Sequence, residues 1–180
     1  MKTNRRIIVL SLLAAGISTL PFTRAAFADD WLLTGTSMRT YALGPFTLKV
    51  YAIRHDTKGH PPRSKQAVID WDMDKKLTWK MLRDVDSSRF QKGMRESFAL
   101  NAYGDAAKIS AFVGAFSKDQ VRDGSAVTIT YHASRRTTTI AVADGSTATI
   151  EGQDFMKAVW SIYFGKTDQP VIGDDLIANL

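Results

Sequence analysis

The chain has 180 residues and a net charge of +6, but four of its 24 Lys and Arg (Lys2, Arg5, Arg6 and Arg24) fall within the first 28 positions, where no acidic residue stands. Outside that stretch 20 basic residues meet 18 acidic ones, a net of +2, which withdraws the strongly basic face that a nucleic-acid partner requires. There is no cysteine, so disulfides, thiolate metal sites and thiol nucleophiles are excluded.

Met1 to Ala28 reads as a cleaved secretory signal peptide: a basic start, the apolar run IIVLSLLAAGISTL, and a small-x-small close at Ala26-Phe27-Ala28. The run is about 14 residues, short of the roughly 20 that span a bilayer, so no integral membrane segment is expected after cleavage. Arg5-Arg6 hints at twin-arginine export, but the rest of that pattern is incomplete and the ordinary secretory route fits better. This places the protein in the periplasm. Residues 29–180 contain no repeat, low-complexity tract or linker and read as one domain, long enough to build a core without covalent staples.

The domain opens with GTSMRTYALGPFTLKVYAI, residues 35–53, two alternating runs joined by a turn at Gly44-Pro45. In a tight hairpin, positions whose numbers sum to about 90 face each other, which sets Arg39 opposite Val50 or Tyr51. His55 to Arg63, HDTKGHPPR, reads as a polar loop with a double proline. SKQAVIDWD reads as a short helix capped by Ser64, although Ala67, Ile69 and Trp71 alternate like a strand. Leu77, Trp79 and Met81 alternate with polar neighbours as a half-buried strand.

Ser87 or Ser88 caps a helix whose Phe90, Met94 and Phe98 share a stripe, and residues 106–118 form a second with Ile109, Phe112, Val113 and Phe116 aligned. Strands return at AVTITYH and TTTIAVA, the latter joined through Asp144-Gly145 to STATI. The last helix, GQDFMKAVWSIYFG, aligns Phe155, Val159 and Ile162 and stops at Gly165. Strands, helices, strands and a helix make an α+β domain with helices on one face of an antiparallel sheet.

Taken together, GTSMRTYALGPFTLKVYAI, LRDVDSSRF, DGSAVTITYH, IEGQDFMKAVWSIYFGK and DDLIANL, in this order, resemble the chalcone isomerase-like family, in particular its bacterial exported branch. The resemblance covers about residues 33 to 180 and implies an open antiparallel sheet with helices against one side and a ligand cleft between. The plant enzyme of that family uses an arginine to attract a phenolate, with a threonine and a tyrosine near the developing enolate. The arginine falls on Arg39; the threonine falls on Tyr51, the tyrosine and asparagine on Phe90 and Ser97, and the late-helix Ser/Thr on Ile162. The loss of the tyrosine's hydroxyl at Phe90 removes the donor that would organise the enolate, so chalcone cyclisation is not expected, and no catalytic residue is assigned. In the family's fatty-acid-binding branch an Arg and a Tyr at the places of Arg39 and Tyr51 grip a carboxylate, for which a guanidinium fork and a phenol are well suited.

The resemblance therefore implies a non-catalytic exported protein binding a small amphipathic acid such as a fatty acid, with Arg39 and Tyr51 as anchors and Phe90, Met94, Ser97, Phe98, Phe112, Phe116 and Ile162 as candidates for lining the cleft. Two other readings stand beside it: a protein-interaction module whose cleft is filled, its protein partner unknown, or an intramolecular lyase or isomerase on an unknown substrate. The plainer reading of Arg39 pairs it with Glu96 or an Asp of a neighbouring element, Tyr51 could be a packing aromatic, and the Phe/Met stripe could be plain core. His55, His60 and Asp56 could meet at a metal but read more simply as solvated loop residues. RDVDSSR reads as a mixed-charge surface turn and Arg135-Arg136 as a hairpin tip. No cofactor is expected, since no phosphate loop, nucleophile elbow or paired-carboxylate spacing rises above chance.

Overall fold

The computed structural model describes residues 30–180; the expected leader, residues 1–28, lies outside the described residues. The elements are β1 (Trp31–Leu43), β2 (Phe46–Lys58), α1 (Lys65–Asp70), β3 (Lys75–Met81), β4 (Val85–Asp86), α2 (Ser87–Leu100), α3 (Ala106–Val113), β5 (Gln120–Val121), β6 (Ala126–His132), β7 (Thr137–Val142), β8 (Thr147–Glu151), α4 (Gln153–Phe164) and α5 (Val171–Asp175). Alternation in the strands decides the architecture. Leu77, Trp79 and Met81 are fully buried while Lys80 between them is exposed, so the sheet has one apolar face. Six strands pair antiparallel in the order β1-β2-β3-β6-β7-β8, and the helices pack on that apolar face. It is the open antiparallel sheet with helices on one side that the sequence implied.

The hairpin register sets Arg39 directly opposite Tyr51, then slips by one residue before Thr40. Such a bulge re-aims the side chains beside it. Gly44, at φ 58°, supplies the left-handed residue of the turn. Ser64 caps α1 and Asp105 caps α3 through side-chain bonds to backbone N–H groups. The second helix is shorter than its apolar period, since α3 ends at Val113 and Phe116 lies in the turn beyond it.

The stretch from His55 is not a loop. β2 continues to Lys58, and His55, Asp56 and Thr57 are buried. His55 is held by partners from distant elements, whereas Asp56 and Thr57 find theirs two residues away, at Arg54 and at the Gly59 carbonyl. Trp160 on α4 donates its indole N–H to His55 Nε2 at 3.0 Å, which leaves the imidazole proton on Nδ1, directed at Thr34 Oγ1 2.7 Å away. Thr34 in turn donates to the Leu176 carbonyl at 2.7 Å. Burial, followed by the nearby Lys75 charge, pushes His55 down to about 3, so the ring is neutral. Asp56 takes both oxygens to Arg54, the Nε bond being 2.9 Å. Lys75, also buried, donates to the carbonyls of Val68 and Ile69 at 2.6 and 3.3 Å and lies 4.9 Å from the Trp160 ring centroid. Among the described residues no group of three His, Cys, Asp or Glu could hold a metal, and His60 is exposed in the loop that follows.

Beyond α5 the backbone lies along β1: Asn179 N donates to Thr34 O at 2.9 Å. A Cβ on Gly35 would stand 2.1 Å from the Asp175 carbonyl, so only glycine permits this approach. No described helix is long and apolar enough to cross a membrane.

Candidate functional site

A cleft of about 720 Å³ opens between the turn-proximal half of the β1–β2 hairpin, helix α2, the end of α4 and the segment after β3. That volume lies in the range of small-molecule sites. Arg39 and Tyr51 both line it, brought together because they are a cross-strand pair on the cleft side of the hairpin. Phe90, Met94, Ser97 and Ile162 line it as well, the first three from one face of α2.

Arg39 forks onto a carboxylate of the chain itself. Its Nη1 and Nη2 donate to Asp168 Oδ1 and Oδ2 at 2.7 and 2.8 Å. Asp168 sits in the link between α4 and α5, a link held by Asn101, whose side chain bonds the N–H and C=O of Lys166, and by Gln169, which donates to Thr40 Oγ1 at 2.6 Å. The guanidinium is 28% exposed and the carboxylate 70%, so the pair stands at the cleft mouth in contact with water. The bond to Arg39 holds the Asp168 carboxyl below its usual range. Glu96, the other partner considered for Arg39, pairs with Lys92 along α2.

Behind this pair the cleft wall is aromatic, with unfinished polar ends. Tyr51 is buried and stacks on Trp79 with ring centroids 4.7 Å apart. Burial raises its hydroxyl to about 12 in spite of Arg39, which keeps it a neutral donor. Tyr163, from the last turn of α4, also lines the cleft and is raised well above the ordinary tyrosine value, chiefly by burial and then by Tyr51. The Tyr163 hydroxyl is buried near the Tyr51 hydroxyl and the Trp79 indole N–H, but neither the Tyr163 hydroxyl nor the Trp79 indole makes a hydrogen bond of good geometry among the described residues. Buried donors without a well-formed bond are costly, and the Tyr163 hydroxyl, which lines the cleft beside Tyr51, suits an oxygen supplied from outside.

Three expected lining residues are elsewhere. Phe98 and Phe112 are fully buried against Phe155, with ring centroids 5.7 and 5.6 Å from it, and Phe116 stacks beneath Phe90 at 5.1 Å. They are core and not cleft, because α2 and α3 pack on each other and turn those rings inward. Conversely the segment read as a surface turn reaches the site: Arg83, Asp84, Val85, Asp86 and Arg89 all line the cleft. Asp168, Tyr163 and Arg83 escaped the sequence reading. Tyr163 follows Ile162 on the α4 stripe and was legible as a buried position, whereas nothing local marks the other two.

Tyr51 apart, the positions matched to the plant enzyme's polar side chains are apolar or turned away. Phe90 and Ile162 present hydrocarbon, and the Ser97 hydroxyl donates to its own helix at Gly93 O, 2.8 Å.

Comparison with known proteins fits this geometry. A family model described as chalcone isomerase-like matches residues 16–174. Among solved structures, a fatty-acid binding protein from Arabidopsis thaliana superposes with a TM-score of 0.67, covering 86% of this chain and 90% of that one at 14% sequence identity. At that identity the likeness is one of fold. No curated protein matches the sequence.

Proposed function

The chain belongs to the chalcone isomerase-like family, and from that premise we propose that it is a non-catalytic binding protein for a small amphipathic acid, in the first instance a fatty acid. One observation carries the reading: Arg39 already seats a carboxylate on both its terminal nitrogens at the mouth of an open cleft, beside the neutral Tyr51 hydroxyl. An incoming acid exchanges with Asp168. The exchange is cheap because an ion pair in contact with water is worth only about 0–1 kcal/mol, whereas the acid gains a dry aromatic wall and the Tyr163 hydroxyl that lines the cleft. Its tail has Val50, Met94, Ile162 and Ile172 to cover.

The Arabidopsis thaliana protein that shares this fold is a fatty-acid binding protein, which supports the ligand class. A cleft of about 720 Å³ speaks against a module whose cleft is filled by its own side chains. For an isomerase, Tyr51 and Tyr163 are the nearest hydroxyls, but burial keeps both protonated at neutral pH, so they serve as donors and not as bases. We also read residues 1–28 as the leader that delivers the protein to a bacterial periplasm, on the strength of the basic, apolar and small-x-small order of that segment.

The direct test is native followed by denaturing mass spectrometry of protein from the export compartment, with titration of added fatty acids. One acid per chain, absent from Arg39→Ala, is expected. Protein that carries nothing and binds no added acid overturns the reading.

A further inference from the structure

The cleft holds three arginines, and only two are neutralised. Arg39 is forked onto Asp168 and Arg89 lies 3.5 Å from Asp86. Arg83 makes neither an ion pair nor a hydrogen bond among the described residues, and its Nε is buried without a partner. Its sequence neighbour does not answer it: Asp84 accepts instead from the Asp123 backbone N–H at 2.8 Å. A guanidinium that keeps part of its fork out of water and unbonded is costly unless something else completes it.

The register says where this cation stands. Arg39 pairs with Tyr51, and Tyr51 pairs with Met81, so Arg39 and Met81 are separated by two strand spacings, roughly 10 Å. Leu82 N still bonds Val50 O at 3.0 Å; Arg83 is the next residue, where the chain leaves the sheet. The two arginines therefore border the cleft on different sides, one at the outer strand and one at the entry to α2. The wall between them is apolar, with Val50, Val85, Phe90 and Met94 facing the cavity.

Resting on the acid-binding reading of the same cleft, we propose that Arg83 is a second anion anchor and that the ligand is a dicarboxylic acid with an apolar middle. One carboxylate takes the place of Asp168 on Arg39 beside Tyr51. The other completes the Arg83 fork. The hydrocarbon between them covers Val50 and Phe90. A simple fatty acid satisfies only the first station and leaves Arg83 as unpaired as it is now.

The test is calorimetric titration of the full chain with decanoate and with decanedioate, on the parent, Arg83→Met and Arg39→Ala. Methionine keeps most of the arginine stem, so the wall stays packed, and Arg83→Lys serves as a second variant that retains a charge. The parent should bind decanedioate at least fivefold more tightly than decanoate. Arg83→Met should erase that preference, decanedioate losing more affinity than decanoate, and Arg83→Lys should keep part of it. Arg39→Ala should weaken both acids. Equal affinities in the parent, or an equal loss for both acids in Arg83→Met, overturn the role of Arg83 while decanoate binding still supports the Arg39 site. If neither acid binds the parent, both proposals fall together.

Discussion

The sheet carries two polar clusters at opposite ends of the same hairpin, and they differ in whether the protein completes them. At the far end from the turn, Thr34, His55, Trp160 and Lys75 lie buried with their donors and acceptors matched, the partners arriving from β1, α1, α4 and the segment after α5. Nearer the turn, Arg39, Tyr51, Tyr163 and Arg83 surround a cavity, with a water-exposed carboxylate as a stand-in and three polar atoms in or beneath the wall left unpaired. Polar groups that close on one another hold a fold together, whereas polar groups left open around a cavity are poised for something from solution. The contrast teaches that titratable residues in this domain are told apart by their remaining valence and not by how deeply they are buried.

The largest effect that would break this comparison lies in the closed cluster. His55→Ala removes a filled volume and strands Trp160 Nε1 and Thr34, so a loss of about 3 kcal/mol is expected in denaturant midpoint measurements. A variant as stable as the parent would remove the distinction. Arg39→Ala should do the reverse, weakening acid binding by roughly 10- to 100-fold, as for a lost charge-assisted pair, while thermal unfolding shifts by no more than about 3 °C, because a surface ion pair contributes little.

Acidity sharpens the contrast further. The His55 pKa is about 3 in the fold against an ordinary 6.5, so the unfolded chain binds the extra proton between those values. Its contribution is whole above pH 6.5 and is lost as pH falls toward 3, at up to about 1.4 kcal/mol per pH unit. Lys75 is lowered by burial from 10.5 to about 7, so the unfolded state holds more protons between 7 and 10.5 and stability from this group rises with pH across that window. Unfolding curves at several pH values, in parent and Lys75→Met, measure both slopes; a Lys75→Met profile parallel to the parent between pH 7 and 10 removes the assignment.

Smaller effects remain at the cleft. Asp168→Ala frees Arg39 and should tighten acid binding by about two- to fivefold, on the scale of a water-exposed ion pair. Tyr163→Phe should leave stability unchanged or slightly raised, since it deletes a buried hydroxyl without a partner, and should weaken acid binding about two- to threefold. A pronounced loss of stability would mean that the hydroxyl is satisfied after all.

Much of the fold was legible because it depends on local period and punctuation: alternation in the strands, stripes on α2 and α4, Ser64 and Asp105 as caps, Gly44-Pro45 as a turn. Turn arithmetic narrowed the partner of Arg39 to Val50 or Tyr51, and the bulge between Arg39 and Thr40 selects Tyr51. What could not be read depends on distant partners. His55 looked like a solvated loop residue because its polarity is answered by Trp160, more than a hundred residues away, and by Thr34 on the neighbouring strand. Phe98 shares a stripe with Phe90 and Met94 of the cleft, and a stripe does not say which part of it another helix will cover; Phe112 and Phe116 belong to a stripe that does not reach the cleft. Asp168 became Arg39's partner through a link whose position is set by Asn101 and Gln169.

The approach of residues 175–179 to β1 at Gly35 has a further consequence. An outermost strand offers a row of free N–H and C=O groups onto which another chain can add. Here the Asn179–Thr34 bond and the close packing at Gly35 occupy the first half of that row, while the half from Arg39 to the turn meets the link between α4 and α5, through Asp168 at Arg39 and Gln169 at Thr40. The fold thus polices the sheet margin where it has no other use for it and leaves the margin loosely covered beside the cavity. Removing residues 174–180 should expose the policed half and convert a well-behaved chain into one that self-associates edge to edge.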